Sequence, residues 1–290
     1  GNDQIRFELT IKALAPDIKI IAPWRDSNWK LQSREDEIEY CRQHGIHLPF
    51  STDCSYSRDR NIWHISHEGL ELEDPANEPN YDHLLVLGVS PEKAPDEATE
   101  IEIEFKAGLP VAIDGEEMSY LDIIAKMNEI AGANGFGRID MIENRMIGVK
   151  SRECYEAPGA LALIEAHRGL EDMCLEREVL RYKLHIEHDW ATLVYNGQWF
   201  SPLKHAMDAF LQTTQQCVTG LVRLKFYKGT CTVTGRKSDF SLYDYGLATY
   251  DAADTFNHQS AKGFIDLYGL STRVWAKNRR EQGVTDGEEN

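Results

Sequence analysis

The sequence has no apolar run approaching the ~18 residues needed to cross a bilayer, and no charged-then-apolar leader opens it. No membrane partner is expected, and the chain reads as a soluble, cytoplasmic protein. Cationic charge is scarce: 31 Lys and Arg stand against 48 Asp and Glu, a formal net charge of −17. Binding nucleic acid through its phosphates needs clustered Lys and Arg, so that class is set aside. The cysteines (Cys41, Cys54, Cys154, Cys174, Cys217 and Cys231) form no C-x-x-C pair and are expected as reduced thiols. Two chemical signatures are missing as well. There is no G-x-x-x-x-G-K-[ST] phosphate loop, and no serine occupies a G-x-S-x-G elbow. The chain also lacks a frayed lead-in: it opens Gly1-Asn2-Asp3-Gln4 and runs straight into a helical pattern, as if cut through the middle of something.

What is present is ordinary globular composition, 42% apolar and 27% charged, with enough chain for a sizeable core. Asn2 or Asp3 can cap a helix with apolar positions Ile5, Leu9 and Ala13. Ile18-Lys19-Ile20-Ile21-Ala22 suits a buried strand, and Ser33-Arg34-Glu35-Asp36 opens a helix that stops at Gly45. Ser51 to Pro95 reads as loop. A hairpin is expected from Glu100–Phe105 through Gly108-Leu109-Pro110 to Val111–Ile113. Ser119 caps a helix ending at Gly132, and Pro158 begins helical periodicity that runs to Tyr195 with a break at Gly169. Ser201-Pro202 opens a further helix, Lys228-Gly229 turns a second hairpin, and a helix from Ser260 to Arg280 precedes a polar tail, Gly283–Asn290. Without βαβ alternation, the part after about residue 50 is expected to be α+β.

The possible sites are then weighed. His64-x-x-His67-Glu68 and His185-x-x-His188 each offer half of a zinc set, too few ligands for a metallohydrolase; they read as surface or loop histidines, and no metal site is expected. Gly132-x-x-Gly135-x-Gly137 precedes a strand-like run and not a helix, the wrong context for phosphate. Asp3 and Arg6 share one face of the first helix, which is either a carboxylate site at a helix N-terminus or a surface ion pair. Glu143-Asn144-Arg145 is either a strand end at a site or an exit into solvent.

Longer motifs decide between these. Gly1-Asn2-Asp3-Gln4-Ile5-Arg6-Phe7-Glu8, Ala22-Pro23-Trp24-Arg25, Ser33-Arg34-Glu35-Asp36 and Tyr56-Ser57-x-Asp59-x-Asn61-x-Trp63-His64-Ile65-Ser66 resemble argininosuccinate synthetases in order and spacing. So do Glu143-Asn144-Arg145, Gly148-x-Lys150-Ser151-Arg152, Tyr155-Glu156-x-Pro158-Gly159 and Tyr195-x-Gly197-x-Trp199-x-Ser201-Pro202. The resemblance implies an ATP-dependent ligase joining citrulline to aspartate through a citrullyl-adenylate, with Mg2+ accompanying ATP, in a homotetramer of arginine biosynthesis. It implies no covalent enzyme nucleophile. Asn2 and Asp3 are expected to bind aspartate, and Asn2, Arg6, Ser57, Ser66, Glu143 and Tyr155 to bind citrulline. The implied fold is an α/β remnant of an adenine nucleotide alpha hydrolase-like domain (1–48), an α+β synthetase domain (49–259), and a C-terminal oligomerisation helix with polar tail (260–290). The family's serine-glycine-glycine ATP loop has no counterpart in these residues, so the chain alone is expected to be inactive. The alternative is a non-catalytic citrulline-binding or assembly module.

Overall fold

The computed structural model describes residues 2–48 and 56–284, apart from the side chain of Arg34. Residues 49–55, with Cys54 and the start of the expected loop, and 285–290 of the expected tail lie outside the described residues. Two compact units are present, Gly1–Leu242 and Tyr243–Asn290.

The first unit begins with α1 (Asn2–Leu14), a 3-10 turn at Pro23–Arg25, and α2 (Arg34–Gln43). The N-terminus of α2 is a reciprocal cap: the Asp36 amide donates to Ser33 Oγ (3.1 Å), and the Ser33 amide donates to Asp36 Oδ2 (3.0 Å). The expected strand at 18–22 does not form. A strand is stabilised by a ladder partner, this stretch has none among the described residues, and Ile18 and Ile21 stand 61% and 84% exposed. The expected cap at Asn2 or Asp3 is also corrected, since both residues lie inside α1 and the Asn2 amide bonds elsewhere in the fold.

Strands β1 (Ser57–Arg60) and β2 (Ile65–Glu68) occupy the stretch read as loop, followed by α3 (Tyr81–Leu84). Next come β3 (Thr99–Lys106), β4 (Leu109–Ile113), β5 (Glu116–Glu117) and α4 (Tyr120–Ala133). The β3–β4 turn is Ala107-Gly108, both at positive φ (48° and 80°), and Leu109 and Pro110 already belong to β4. Then follow β6 (Arg138–Asn144), β7 (Lys150–Glu156), α5 (Pro158–Cys174), α6 (Arg177–Tyr195), α7 (Pro202–Gln215), β8 (Gly220–Tyr227) and β9 (Thr230–Lys237). Gly169 does not break the helical run. It lies inside α5, where a Cβ would come within 3.3 Å of the Val233 side chain of β9, so its lack of a side chain permits close helix–sheet packing. The break falls after Leu175, where the Glu176 carboxylate accepts from the amides of Glu178 and Val179 and caps α6.

Two antiparallel sheets result, a five-stranded one in the order β5-β4-β3-β8-β9 and a four-stranded one in the order β1-β2-β7-β6. Alternate residues of β3 (Ile101, Ile103, Phe105) and β8 (Val222, Leu224, Phe226) face Ile124 and Met127 of α4 and Ala166 and Leu170 of α5, forming the main core. The four-stranded sheet packs one face on a smaller cluster of Tyr56, Leu72, Leu84 and Cys154. Its other face carries the residues of interest.

The second unit holds α8 (Tyr245–Ala248), α9 (His258–Tyr268) and α10 (Leu270–Glu281), so the single helix expected at 260–280 is two, interrupted at Gly269. Neither α9 nor α10 has a buried residue; Phe264, Ile265, Tyr268 and Trp275 are exposed.

The covered face of the four-stranded sheet is held by Glu156, 2% exposed. Its carboxylate accepts from the amides of Val86 (2.7 Å), Leu87 (2.8 Å) and Gly88 (3.0 Å) and bonds His67 Nε2 (2.9 Å). Arg58 Nε can only donate and reaches His67 Nδ1 (3.1 Å), so Nε2 carries the ring proton toward Glu156. Burial opposes this charge, but the bonds from His67 and from the Val86 and Leu87 amides outweigh it and lower the Glu156 pKa. His67 is therefore a core residue, correcting its reading as a surface or loop histidine. Glu156→Ala should cost roughly 3–5 kcal/mol in urea unfolding of the full chain, because it leaves buried donors unpaired. A loss below about 1 kcal/mol would mean that Glu156 does not hold this face.

Candidate functional site

Strand alternation sorts the residues of the four-stranded sheet by face. The register pairs Ser57 with Glu68, Ser66 with Asp59 and Tyr155, and Glu143 with Ser151. Ser57, Ser66, Glu68, Glu143, Ser151, Glu153 and Tyr155 consequently stand on one face, with Arg58, His67, Asp140, Arg152, Cys154 and Glu156 on the other. Four of the expected citrulline ligands thus converge from β1, β2, β6 and β7. The Tyr155 hydroxyl donates to Glu143 Oε2 at 3.1 Å. Burial raises the Tyr155 pKa, and the carboxylates of Glu153 and Glu143 raise it further, so the phenol stays protonated as a donor.

Charge on this face is unbalanced. Arg145, in the β6–β7 turn, contacts Glu68 (2.8 Å), Ser151 (2.9 Å) and Glu153 (3.2 Å) through one guanidinium nitrogen, and its Nε lies 3.9 Å from Glu143. Glu68, Glu143 and Glu153 therefore share this guanidinium. Burial, then the charges of Glu68 and Glu143, push the Glu153 carboxyl up to about 7. Sequence reasoning quoted Arg145 only within Glu143-Asn144-Arg145, a strand end at a site or an exit into solvent, and did not single out Glu153. The signal for Glu153 was its period-two spacing with Ser151 and Tyr155.

Asn2 and Arg6 reach the end of this face from α1. Asn2, 8% exposed, accepts from the Met146 amide in the β6–β7 turn (2.9 Å) and donates to the Tyr195 hydroxyl (2.8 Å). Arg6 donates to Asp3 Oδ1 (3.2 Å) and to the Tyr195 carbonyl (2.8 Å), and its guanidinium carbon lies 4.7 Å from the centre of the Tyr195 ring. Asp3 remains largely exposed. The structure brings every expected site residue into the first unit, six of the seven at this sheet face or its end, with Asp3 exposed and bonded to Arg6.

Two cavities flank the face. One of about 620 Å³ is lined by Ser57, Glu68, Lys150, Ser151, Arg152 and Glu35, among others, and is the size of small-metabolite sites. The other, about 280 Å³ and mostly apolar, lies against Trp63, His64, Met141 and Tyr155. Gly132 serves packing and not phosphate: a Cβ there would sit 2.3 Å from the Leu87 carbonyl oxygen.

A polar, anion-rich face with a cation at its end can hold a zwitterion. Residues 56–275 match the family model of the arginosuccinate synthase C-terminal domain, and residues 1–47 match that of the arginosuccinate synthase N-terminal HUP domain. The chain belongs to the argininosuccinate synthase family. It is 58% identical over 281 residues to argininosuccinate synthase of Lachnospira eligens and 57% identical over 282 residues to that of Lachnoclostridium phytofermentans; each alignment covers 97% of this chain and 69% of the relative. Argininosuccinate synthase of Agathobacter rectalis is 55% identical over 276 residues, 95% of this chain and 68% of the relative. The argininosuccinate synthases are carbon–nitrogen ligases of arginine biosynthesis that use ATP. The match at residues 1–47 is to HUP-domain sequence, and it does not carry the further expectation that the ATP loop is lacking.

Glu153 makes the fold pH-sensitive in a defined direction. Its carboxyl titrates at 4.5 unperturbed and at about 7 when folded, so folding favours the protonated form. The stability this contributes is complete below the unfolded pKa and is lost as pH rises through the folded one. Glu153→Gln mimics the protonated form. Its melting temperature relative to the unaltered chain should climb between pH 4.5 and about 7 and level off above. A difference that does not vary with pH would sink the assignment.

Proposed function

We propose that this chain carries the amino-acid site of an argininosuccinate synthase, which joins citrulline to aspartate with conversion of ATP to AMP and pyrophosphate. The convergence of Ser57, Ser66, Glu143 and Tyr155 on one sheet face, with Asn2 and Arg6 at its end, supports the reading most directly. Arg6 takes the citrulline carboxylate and Glu143 its α-ammonium, while Ser57, Ser66 and Tyr155 supply hydroxyls. Asn2 lies nearest the reacting group and, with Asp3, receives aspartate.

The chemistry needs activation because a ureido carbon is a poor electrophile. The ureido oxygen attacks the α-phosphorus of ATP and the α–β bridge breaks, releasing pyrophosphate and leaving citrullyl-adenylate. The aspartate amine then attacks the ureido carbon, the C–O bond to AMP breaks, and the amine proton departs as the guanidino product forms. No side chain becomes covalently bound, so the protein acts through placement and charge. Magnesium enters as the counter-ion of the nucleotide phosphates. Among the described residues no group of three or more His, Cys, Asp or Glu is arranged to hold a metal ion.

The cytoplasm is the proposed compartment and a homotetramer the proposed assembly. The exposed apolar residues of α9 and α10 favour the second, as an arm laid against a neighbouring copy.

AMP and pyrophosphate release that depends on both citrulline and aspartate is the activity that tests this reading, and its appearance would set aside the expectation that the chain alone is inactive. Glu143→Gln should raise the citrulline KM roughly ten- to hundredfold, the loss of one charge-assisted contact, and leave the ATP KM unchanged. Citrulline binding without pyrophosphate release would instead favour the non-catalytic module, or the enzyme without its ATP loop. Absence of binding to either amino acid would overturn the reading.

A further inference from the structure

Tyr195 has no substrate role in the reading above, yet more of the site's geometry passes through it than through any ligand. It is the last residue of α6, where backbone carbonyls have no partner within the helix and carry the negative end of the helix dipole. Arg6 Nε donates to that carbonyl at 2.8 Å, with the guanidinium over the ring of the same residue. The Tyr195 hydroxyl accepts from Asn2 Nδ2 at 2.8 Å and donates to the Asn144 carbonyl, 3.3 Å away, at the end of β6. Asn144 is the neighbour of Glu143. Tyr195 therefore touches Asn2 and Arg6, two of the three α1 residues assigned to substrate, and the strand end bearing the anionic ligand.

The chain after Tyr195 is shaped to permit this. Gly197 adopts a φ of +72°, and a Cβ there would stand 2.8 Å from Arg6 Cα. Only glycine lets the α6–α7 turn approach α1 closely enough for the Tyr195 carbonyl to meet Arg6. The hydroxyl is kept protonated: burial raises its pKa, and the Glu143 carboxylate beside it raises it further, so it stays a donor at neutral pH.

We propose that Tyr195 is a positioning residue of the amino-acid site, setting Asn2 and Arg6 at a fixed separation from Glu143 so that one zwitterion meets its cation and anion together. The proposal rests on the function read above. A zwitterion carries its carboxylate and ammonium on one carbon, so the Arg6-to-Glu143 spacing is a strict requirement, and a rigid aromatic between them is a physical way to hold it. Aspartate depends on the same device through Asn2.

The test uses the full chain, with calorimetric titration of L-citrulline into the unaltered protein, Tyr195→Phe, Asn2→Ala and the double variant. Tyr195→Phe keeps the ring under Arg6 and the carbonyl but removes the link to Asn2 and Asn144. We expect a citrulline Kd about tenfold higher, a parallel rise in aspartate KM and an unchanged ATP KM. In the Asn2→Ala background the same substitution should have little further effect, because the hydroxyl acts through Asn2. Citrulline binding by the unaltered protein with equal binding by Tyr195→Phe overturns the inference and leaves the functional reading standing. Losses that are additive with Asn2→Ala, or that weaken ATP, citrulline and aspartate alike, overturn it in favour of a purely structural role. No citrulline binding by the unaltered protein removes the functional reading and the inference with it.

Discussion

The candidate site depends on one antiparallel register, which pairs Ser66 with Tyr155 and Glu143 with Ser151. A slip of one residue along β7 would turn Tyr155, Glu153 and Ser151 away and present Cys154 and Arg152 in their place. The register is pinned from behind. Glu156 collects three amides and His67, while Arg152 pairs with Asp140 (2.9 and 2.6 Å) and holds the carbonyls of Asp74 (3.2 Å) and Asn77 (2.9 Å). These contacts bind long connecting segments to the covered face, and so the open face is set by packing that no substrate touches.

On the open face the governing feature is an excess of carboxylate over guanidinium. Arg145 satisfies Glu68 and Glu153 more closely than Glu143, which keeps the Tyr155 hydroxyl as its nearest partner. A carboxylate held at a fixed place, largely buried and only partly neutralised, attracts an ammonium with little reorganisation. The cost appears at Glu153, whose proton the fold retains to near neutrality. Arg6 presents the opposite sign at the other side of Tyr195, steadied by a helix C-terminus.

Much of the local structure was readable before any coordinates. The Ser33 and Ser119 caps, Pro158 and Pro202 at helix starts, and the Gly108 and Gly229 turns are signals carried by adjacent residues, and each lies where those signals place it. The misreadings share a cause. Ile18–Ala22 has strand composition, but a strand is a property of a pair. β1, all exposed Ser, Arg and Asp, has no apolar alternation to announce it and is a strand because β2 lies beside it. His67 looked like a surface residue because its partner Glu156 is 89 positions away.

The sequence alone determined the family and the identity of the expected ligands, since motifs of consecutive residues survive as text whatever the fold does with them. It also determined helix starts and hairpin turns, which are settled within a few residues by caps and backbone preferences. Tertiary structure alone decided that Ser57, Ser66, Glu143 and Tyr155 share a face, that Arg145 stands among three acids, and that Tyr195 joins Asn2 and Arg6 across 193 and 189 positions. Side-chain direction on a sheet follows from register, and register follows from what packs behind the strands. Neither is written in the neighbours of any one residue.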